Sequence, residues 1–502
     1  MATAVRRALD PALVRELSRQ NAELAPSPAR QAHLDELARP EAGVVVTGQQ
    51  VGLFLGPAYS IYKAATAIAE ARRLRQAQGQ PTVPVFWLQS EDHDADEVSS
   101  CHVLSDGELV EVKLACEGAE RASLAHRPLG ERVEEALAQL ADLLGNGTDA
   151  RETLALLRRG YRPDRGWVDA FAQSMAELFA DEGLVMLDPR TPAMASLAKP
   201  LHRRALERAD AIDEALVAGA DALERAGQPV GVAPRPGCSL SFYHPAGADG
   251  PRHRLTRQGD DWIARGMTEP RATADLLAEL EREPLRFSTS GLLRVALQNH
   301  WLPVLCQIAG PGEARYLRQL PPLHVELGTP ASAVVLRLRM VVTDARCRRR
   351  LSALGVKATD VDGVEPMLER LADGDPGIDG DDVRARLEAA VERELEAVAP
   401  ELDVIDTQLQ KALSKTRRHV KKGAAALGRR VDAARARNDT TRTSRVADVC
   451  ATLIPGGRPQ ERVIGLPELG ARHGVAAFKA AVMRAAEAHV AAPGDVVVEA
   501  AL

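Results

Sequence analysis

The chain has 502 residues, of which 27% are charged, and this length predicts about three structural units around a large core. The net charge of −6 and the pI near 6.1 argue against a nucleic-acid-binding protein. The sequence has no leader-like segment and no long apolar run, and it therefore predicts a cytoplasmic protein without membrane contact. Its six cysteines have no CxxC spacing, which argues against a disulfide framework or structural zinc.

Residues 1–97 are predicted to carry two short N-terminal helices and the first half of an α/β core. The apolar run Val44-Val45-Val46 predicts a buried parallel strand. The loop TGQQVGLFLGP follows at 47–57, and its glycines predict close approach of the backbone to a ligand. An ordinary turn into a helix would also explain the glycines, but not the paired glutamines. The candidate residues here are Thr47, Gly48, Gln49, Gln50, Tyr59 and Lys63.

A second predicted strand, at 84–88, ends in the polar string QSEDHDADE. Because the carboxyl ends of neighbouring parallel strands meet at one edge of a sheet, we expect both polar clusters to form one site. The alternative is a solvated loop, which we expect for Asp96 and Glu97. Metal binding is the least favoured interpretation, because only Cys101-His102 offers further ligands nearby. The candidate residues are Glu91, Asp92, His93 and Asp94.

The middle of the chain alternates between core and inserted segments. Asp106-Gly107, between alternating apolar and polar residues, predicts a hairpin. The string LVMLDPR at 184–190 predicts another buried strand. The predicted segments are 98–130, an inserted connecting segment; 131–226, core helices and a strand; and 227–286, a second inserted segment.

The second half of the core is predicted at 287–379, with a strand from Val304 to Ile308 and the loop GPGE after it. The amides of such a loop suit a phosphate or a carboxylate, although the string is often only a helix start. Arg294 is predicted either as a carboxylate clamp or as part of an ordinary ion pair between helices. The candidate residues are Arg294, Gly310, Gly312, Glu313 and Tyr316.

Residues 380–447 are helical by pattern and segregated by charge, since the first arm is acidic and the second basic. Apolar steps of three and four predict an antiparallel coiled coil or a long helical hairpin. KALSK at 411–415 lies on this spacing and is interpreted as surface. Residues 448–502 are predicted to return to the core. The predicted seam is Leu402, Ile405, Leu409, Ala412, Thr416, Val420, Leu427, Val431 and Ala434.

Five strings in this order resemble the bacillithiol-biosynthesis cysteine-adding enzymes. They are VVVTGQQVGLFLGPAYSIYKA, PVFWLQSEDHDADEV, FSTSGLLR, LPVLCQIAGPGEARYL and LIPGGRPQERV, and they span roughly residues 40 to 465. The resemblance implies an α/β fold with a Rossmann-like, doubly wound parallel core, like class I aminoacyl-tRNA synthetases. It also implies inserted connecting segments and a C-terminal α-helical coiled coil that forms a homodimer.

The resemblance further implies a ligase that adds L-cysteine to the glucosamine amine of malyl-glucosamine in the last step of bacillithiol biosynthesis. Amide formation needs a base for the ammonium proton and donors for developing oxyanion charge. His93 or Asp94 is the expected base beside Asp92; the expected donors are Gln49, Gln50 and Lys63, with Arg294 and Glu313 as sugar or malate contacts. The alternatives are a ligase for another amino acid and amine, or a non-catalytic nucleotide-binding dimeric scaffold.

ATP or ADP is the expected cofactor, with Mg²⁺ only as the partner of a nucleotide. No GxxxxGK[ST], HIGH or KMSKS string occurs, so a nucleotide site is not a P-loop. The string PGGRPQER combines glycine amides with arginines and is expected to lie near the helices of 145–180. Its candidate nucleotide-binding residues are Gly456, Gly457, Arg458 and Arg462.

Overall fold

The computed structural model describes residues 6–105, 107–372, 378–406, 409–438 and 440–502. The strands, in chain order, are β1 (Gly43–Gln49), β2 (Thr82–Leu88), β3 (Ser100–Ser105), β4 (Glu108–Lys113), β5 (Val185–Leu187), β6 (Cys238–Tyr243), β7 (His253–Gln258), β8 (Asp261–Ile263), β9 (Phe287–Thr289), β10 (Val304–Ala309), β11 (Ala333–Leu336), β12 (Arg339–Thr343) and β13 (Val497–Ala501).

The helices alternate with these strands along most of the chain. They are α1 (Pro11–Ala22), α2 (Pro28–Leu37), α3 (Tyr59–Gln78), α4 (Ala95–Val98), α5 (Arg132–Leu144), α6 (Thr148–Gly160), α7 (Trp167–Leu178), α8 (Pro192–Glu207), α9 (Ala209–Arg225), α10 (Thr273–Arg282), α11 (Gly291–Trp301), α12 (Pro311–Leu317), α13 (Pro321–Leu327), α14 (Ala345–Leu354), α15 (Val364–Ala372), α16 (Gly380–Ile405), α17 (Leu409–Asn438), α18 (Thr440–Leu453), α19 (Leu466–His473) and α20 (Val475–Ala491).

A five-stranded parallel sheet in the order β11-β10-β1-β2-β5 forms the core. Its central strands are buried on both faces, which is why their sequences are continuous apolar runs. One face contacts α3 and α7, and the other packs against α1, α2, α8 and α11. Trp87 and Trp301 stack on the second face with ring centroids 5.5 Å apart. The predicted doubly wound parallel core is therefore confirmed.

The strand order reverses at β1, because β2 and β5 lie on one side of it and β10 and β11 on the other. Open α/β sheets bind ligands in the crevice at such a switch point, beyond the carboxyl ends of the strands. In this chain the residues after β1, β2 and β10 border that crevice. These are the segments that the sequence marks with polar residues.

Two antiparallel sheets lie beside the core. β3 and β4 form the predicted hairpin, and a four-stranded sheet has the order β8-β7-β6-β9. The predicted boundary at 286 is wrong, because β9 pairs with β6 of the second inserted segment. Phe287 also packs on Tyr243 with ring centroids 5.3 Å apart, so its burial belongs to that sheet and not to the parallel one.

The C-terminal part is built around the helical hairpin of α16 and α17, as predicted. The predicted lower limit of 380 coincides with the start of α16, whereas the predicted upper limit of 447 falls inside α18. Upstream, α15 packs on α17, although 287–379 was assigned to the core. Downstream, α18 continues past 447, and its residues Val446, Val449 and Cys450 are buried against α14 and α15. Apolar contacts, not the charge pattern, set these limits.

The predicted seam of the hairpin is displaced in α17. Leu413 and Ala424 are buried, whereas Ala412 and Thr416 are exposed and Leu427 is 45% exposed. The displacement follows from close packing of two glycines, since a Cβ at Gly428 would lie 2.5 Å from the Gly380 carbonyl oxygen. Arg417 also reaches across to Glu392 at 2.9 Å, as the charge segregation predicts. No helix in the described ranges is both long and apolar enough to cross a membrane.

Candidate functional site

The residues that follow β1 and β2 touch at the carboxyl edge of the sheet. The Gln50 side-chain amide donates to Asp92 Oδ2 at 3.0 Å and to Glu97 Oε2 at 2.7 Å. β1 and β2 are direct neighbours in parallel register, so the crossover through α3 brings the two loops to the same edge. The prediction that these loops lie together is confirmed.

The segment after β10 joins the same edge through a buried ion cluster. Lys63 Nζ lies 2.8 Å from Glu313 Oε2 and also donates to the Gly48 carbonyl and the Gln49 side chain. Arg294 donates to the other Glu313 oxygen at 3.0 Å and to the Tyr316 hydroxyl at 2.9 Å. We call Lys63, Glu313, Arg294 and Tyr316 the ion cluster.

Charge balance inside the ion cluster keeps Glu313 ionised. Burial raises the pKa of this carboxyl, but the positive charges of Lys63 and Arg294 outweigh burial and lower the pKa to about 2. Gln307 donates to it as well, at 3.2 Å. Because its oxygens are occupied, Glu313 holds the two cations in place, which differs from the predicted direct contact with a sugar or malate.

One donor of the ion cluster has no partner. In the described part of the chain, the Nη1 atom of Arg294 is buried without a hydrogen bond. A buried unpaired guanidinium nitrogen is costly, so such atoms usually meet water, an ion or a ligand. Arg294 therefore forms the predicted ion pair through Nη2, and its role as a carboxylate clamp stays a prediction.

A cavity of about 240 Å³ lies over the ends of β2 and β9, and we call it the inner chamber. It brings together the predicted Asp92, His93 and Arg294. His93 Nδ1 lies 3.5 Å from Asp92 Oδ1, and the Asp92 carboxylate also accepts from the His93 backbone amide at 2.7 Å. The remaining lining residues are Trp87, Gln89, Glu91, Pro189, Phe242, Arg252, Arg254, Thr289, Ser290 and Gly291.

Asp92 is held in its ionised form. Burial raises the pKa of this carboxyl, but contacts from His93 and Gln50 and the charge of Arg252 lower it well below its ordinary range. The ionised Asp92 carboxylate lies beside the His93 imidazole, where it stabilises positive charge. The pair is thus suited to accept a proton on His93 and to stabilise the resulting charge.

Glu91 has an anchoring position. Its two oxygens accept from the backbone amide and the hydroxyl of Thr289, so the end of β2 is tied to β9. Burial is the main influence on Glu91 and raises its pKa. Arg252, on the loop into β7, donates to the Glu91 and Thr289 carbonyls and lines the same chamber.

Some predicted residues do not line the chamber. Asp94 is exposed and caps α4 by accepting from the Glu97 amide. Thr47 is buried inside the sheet, where its hydroxyl donates to the Ile308 carbonyl at 3.1 Å. Gly48 is also inside the sheet, since a Cβ there would lie 2.8 Å from the Trp87 carbonyl oxygen.

The glycine loop after β1 is packed against protein rather than left open for a ligand, so that expectation is wrong. A Cβ at Gly52 would lie 2.9 Å from the Gly56 Cα. Phe54 and Leu55 between them have positive φ and are fully buried. Tyr161 holds the turn by accepting from the Leu55 amide and donating to the Gly52 carbonyl. These glycines permit a tight, buried turn.

The GPGE loop is less specialised than predicted. Gly310 and Gly312 have no positive φ, and a Cβ at Gly312 would meet open space. The helix that follows, α12, has only seven residues. Within this loop, the residue that contributes to the site is Glu313.

The PGGRPQER loop lies between α18 and α19. Just after it, the Ile464 carbonyl accepts from the Ala58 amide at 2.9 Å, and within it a Cβ at Gly456 would lie 3.4 Å from Leu109 of β4. The helix after the loop, α19, is what packs on α6 of the 145–180 region. Gly456 and Gly457 both need positive φ, and Arg458 and Arg462 are exposed.

Sequence reasoning missed Arg252 and Arg254, which line the inner chamber from the second inserted sheet. The only local signal was a pair of arginines in an ordinary polar strand. It also gave no role to Asp188, which is half-buried after β5 and accepts from Ser90. Burial raises the pKa of Asp188 to about 6. Among the described residues, no group of three or more His, Cys, Asp or Glu is placed to hold a metal ion.

Two family models match the chain in succession. "Bacillithiol biosynthesis BshC, N-terminal Rossmann-like domain" matches residues 2–338, and "Bacillithiol biosynthesis BshC, C-terminal coiled-coil domain" matches residues 340–486. The division between them falls beside β12, where the helical C-terminal part begins.

Similar proteins carry the description "Putative cysteine ligase BshC". One from Koribacter versatilis is 32% identical over 91% of this chain and 84% of its own length. Others are from Solibacter usitatus, at 32% over 92% and 85%, and from Salinibacter ruber, at 29% over 86% and 79%. An arginyl-tRNA synthetase from Thermus thermophilus aligns with 87% of this chain and 86% of its own at 11% identity, but its TM-score of 0.20 is too low to bear on the fold.

Proposed function

Since the chain belongs to the bacillithiol biosynthesis BshC family, we propose that it is a cysteine ligase that joins the carboxyl group of L-cysteine to the amine of malyl-glucosamine. The product is an amide, and the reaction is the last step of bacillithiol biosynthesis. The observation that carries the proposal is the inner chamber, which brings Asp92, His93 and Arg294 together beyond the carboxyl end of β2.

The chamber supplies the groups that amide formation needs. The amine nitrogen attacks the carboxyl carbon of an activated cysteine, the activating group leaves from that carbon, and His93 takes the proton that the nitrogen releases. Asp92 stabilises the charge on His93 from 3.5 Å. The unpartnered Nη1 of Arg294 is the donor best suited to the developing negative charge on the carboxyl oxygen.

Three further residues act through contacts with Asp92 and Arg294. Gln50 holds Asp92 in orientation, while Lys63 and Glu313 hold Arg294 and the end of β1. Asp94 is the weaker choice for the base, because it is exposed and caps α4. We therefore assign the base to His93.

We also propose a nucleotide site at the PGGRPQER loop and a homodimer through the helical hairpin. ATP, with Mg²⁺, supplies the activation that a free carboxylate lacks. Gly456 and Gly457 form an exposed turn that leaves room for phosphates, and Arg458 and Arg462 provide positive charge for them. The protein is proposed to act in the cytoplasm.

Product detection by mass spectrometry tests the proposal. The full chain with L-cysteine, malyl-glucosamine, ATP and Mg²⁺ is expected to form the amide. His93→Ala is expected to lower kcat by about 10²–10⁴, the usual effect of losing a positioned base. Asp94→Asn distinguishes the two candidate bases, and the exposed Asp96→Asn is the matched control. A His93→Ala enzyme that keeps wild-type kcat would overturn the assignment of the base, and absence of product in the wild type would overturn the ligase.

A further inference from the structure

A second cavity of about 290 Å³ opens beside the inner chamber, and the two share Arg254, Ser290 and Gly291. We call this second cavity the outer chamber. Its walls come from α9, the segment before β6, β6 itself, β7 and the start of α11. The residues that line it include Leu216, Val232, Leu240, Leu292, Tyr316 and Gln319. A substrate longer than the inner chamber can therefore continue into the outer one.

The wall formed by the segment before β6 is fixed by specific contacts. The Gln319 amide group donates to the Val232 carbonyl at 2.9 Å and accepts from the Val232 amide at 3.3 Å. Gly231 packs so closely that a Cβ there would lie 2.3 Å from the Tyr316 nitrogen. The Gly237 amide donates to Asp213 at 2.6 Å. The outer chamber is thus a built cavity rather than a gap under a loose loop.

The outer chamber carries positive charge without compensation. Arg235 and Arg254 both line it, whereas no Asp or Glu among the described residues does. Within the same described ranges neither arginine forms an ion pair. Arg254 lies over the Phe242 ring, 5.2 Å from its centroid, which fixes the guanidinium without neutralising it. Two uncompensated guanidinium groups beside apolar walls favour an anionic ligand with an aliphatic part.

The junction of the two chambers adds to this preference. Ser290 caps the N-terminus of α11. The first two residues of this helix, Gly291 and Leu292, line the outer chamber. A helix N-terminus favours negative charge, and α11 has eleven residues. One turn further, Arg294 lines the inner chamber with its buried Nη1 unpartnered. A Cβ at Gly291 would meet open space, so the junction has room for a ligand.

We propose that the outer chamber holds a carboxylate on a short aliphatic chain, carried by one of the substrates of the ligation proposed above, on which this inference rests. Arg235 and Arg254 pair with the carboxylate, and Leu216, Leu240 and Leu292 cover the carbon atoms. The volume matches the lower end of small-molecule sites, about 300 Å³. The carboxylate comes either from the malyl arm of the acceptor or from the amino acid donor, and experiment separates these sources.

Isothermal titration of the full chain with three probes tests the inference. The probes are L-malate, L-cysteine and methyl glucosaminide, which has the amine but no carboxylate. Replacing Arg235→Ala and Arg254→Ala together is expected to weaken binding of one carboxylate probe on the order of tenfold or more, as loss of a charged hydrogen bond does. Binding of methyl glucosaminide is expected to stay within about twofold of wild type, because a sugar amine gains little from either guanidinium.

Two controls separate charge from packing. Arg225→Ala removes an exposed arginine at the end of α9, outside the chamber, and is expected to leave all three affinities unchanged. The double variant Arg235→Lys with Arg254→Lys keeps the charge and is expected to recover part of the carboxylate affinity. Circular dichroism spectra that match the wild type establish that the variants fold.

The outcomes are distinct. If the alanine double variant loses affinity for malate, the occupant of the outer chamber is the malyl arm of the acceptor. If it loses affinity for cysteine, the occupant is the amino acid donor. Either result supports the proposed carboxylate site. The proposed carboxylate site is overturned if the alanine double variant binds both carboxylates as tightly as the wild type. It is also overturned if the wild type binds neither of them. A wild type that binds malate through these arginines but forms no amide leaves the chamber standing and overturns the ligase.

Discussion

At the residue scale, the site depends on a few buried charges that are useful only in combination. Glu313 pairs with both Lys63 and Arg294 in a buried place, and among the described residues Nη1 of Arg294 has no partner. Lys63 in turn holds the Gly48 carbonyl and the Gln49 side chain. The geometry at the end of β1 is therefore coupled to a carboxylate that follows β10.

Removing the negative charge of Glu313 tests this coupling. Glu313→Gln leaves two buried cations without their counter-charge and is expected to lower the free energy of unfolding by about 3–5 kcal/mol. Urea denaturation at neutral pH measures the change. The control is Glu23→Gln, which removes an exposed partner of Arg19 and is expected to have no measurable effect. Equal stability of the two variants would contradict the coupling.

The same carboxyl predicts a dependence of stability on pH. The pKa of Glu313 is about 2 in the folded chain and about 4.5 when unperturbed. At a pH between these values the unfolded chain binds a proton that the folded chain does not, so lowering the pH favours unfolding. The contribution of Glu313 is present above about pH 4.5 and is lost as the pH falls towards 2. Urea denaturation across this range is expected to give a flatter curve for Glu313→Gln than for the wild type.

At the element scale, the strands of the parallel sheet could be predicted from the sequence. The strand pairings of the inserted sheet and its contacts with the site could not. β1 and β2 are buried on both faces, so each is a continuous apolar run with polar residues at its end. The Arg252 side chain donates to the Glu91 carbonyl, 161 positions away in the sequence. A contact between such distant segments leaves no local pattern in the sequence. For the same reason no local pattern marks β9 as the edge strand of that inserted sheet.

The helical hairpin shows a different limit. Its helices and their charges could be predicted, but its register could not, because Ala412 and Leu413 both fit steps of three and four. The contact of Gly380 with Gly428 decides between them, since only glycine allows the backbones to approach so closely. Glycines do not contribute to a hydrophobic repeat, so a search for such repeats does not detect this contact. Close packing between backbones is therefore the part of helix pairing that a hydrophobic pattern misses.

Two glycine-to-alanine changes in the same helix test that contact. At Gly423 a Cβ would meet open space, so Gly423→Ala is expected to stabilise α17 by about 0.5–1 kcal/mol. At Gly428 the Cβ would lie 2.5 Å from the Gly380 oxygen, so Gly428→Ala is expected to destabilise the hairpin by about 1–3 kcal/mol. Thermal unfolding followed by circular dichroism compares them. The same sign of effect at both positions would contradict the packing.

At the scale of the whole molecule, the sheet and the hairpin bury largely separate sets of residues. The buried clusters around the parallel sheet draw on α1, α3, α7, α8, α11 and α20, whereas α18 packs with α14 and α15. β12 and β13 pair in parallel and lie between these two regions. The hairpin therefore contributes little to the burial of the sheet, although α15 packs on α17.

Deleting the hairpin tests both this independence and the proposed dimer. A chain in which a short Gly-Ser linker replaces residues 380–438 is expected to keep the folded sheet, because α18 and its partners remain. It is also expected to be a monomer in light scattering, whereas the full chain is expected to be a dimer. The inner chamber is expected to keep its ligand affinities. A truncated chain that still dimerises would place the interface elsewhere.

The position of β1 in the centre of the sheet has a consequence for synthesis on the ribosome. Its Thr47 hydroxyl donates to the Ile308 carbonyl of β10, 261 positions later in the chain. Until β10 emerges, β1 presents an open strand edge, and such edges recruit other chains. At about 5–20 residues per second, that exposure lasts roughly 13–50 seconds for each nascent polypeptide. Recombinant fragments that stop short of β10 are therefore expected to precipitate, and more chaperone is expected to favour soluble yield of the full chain.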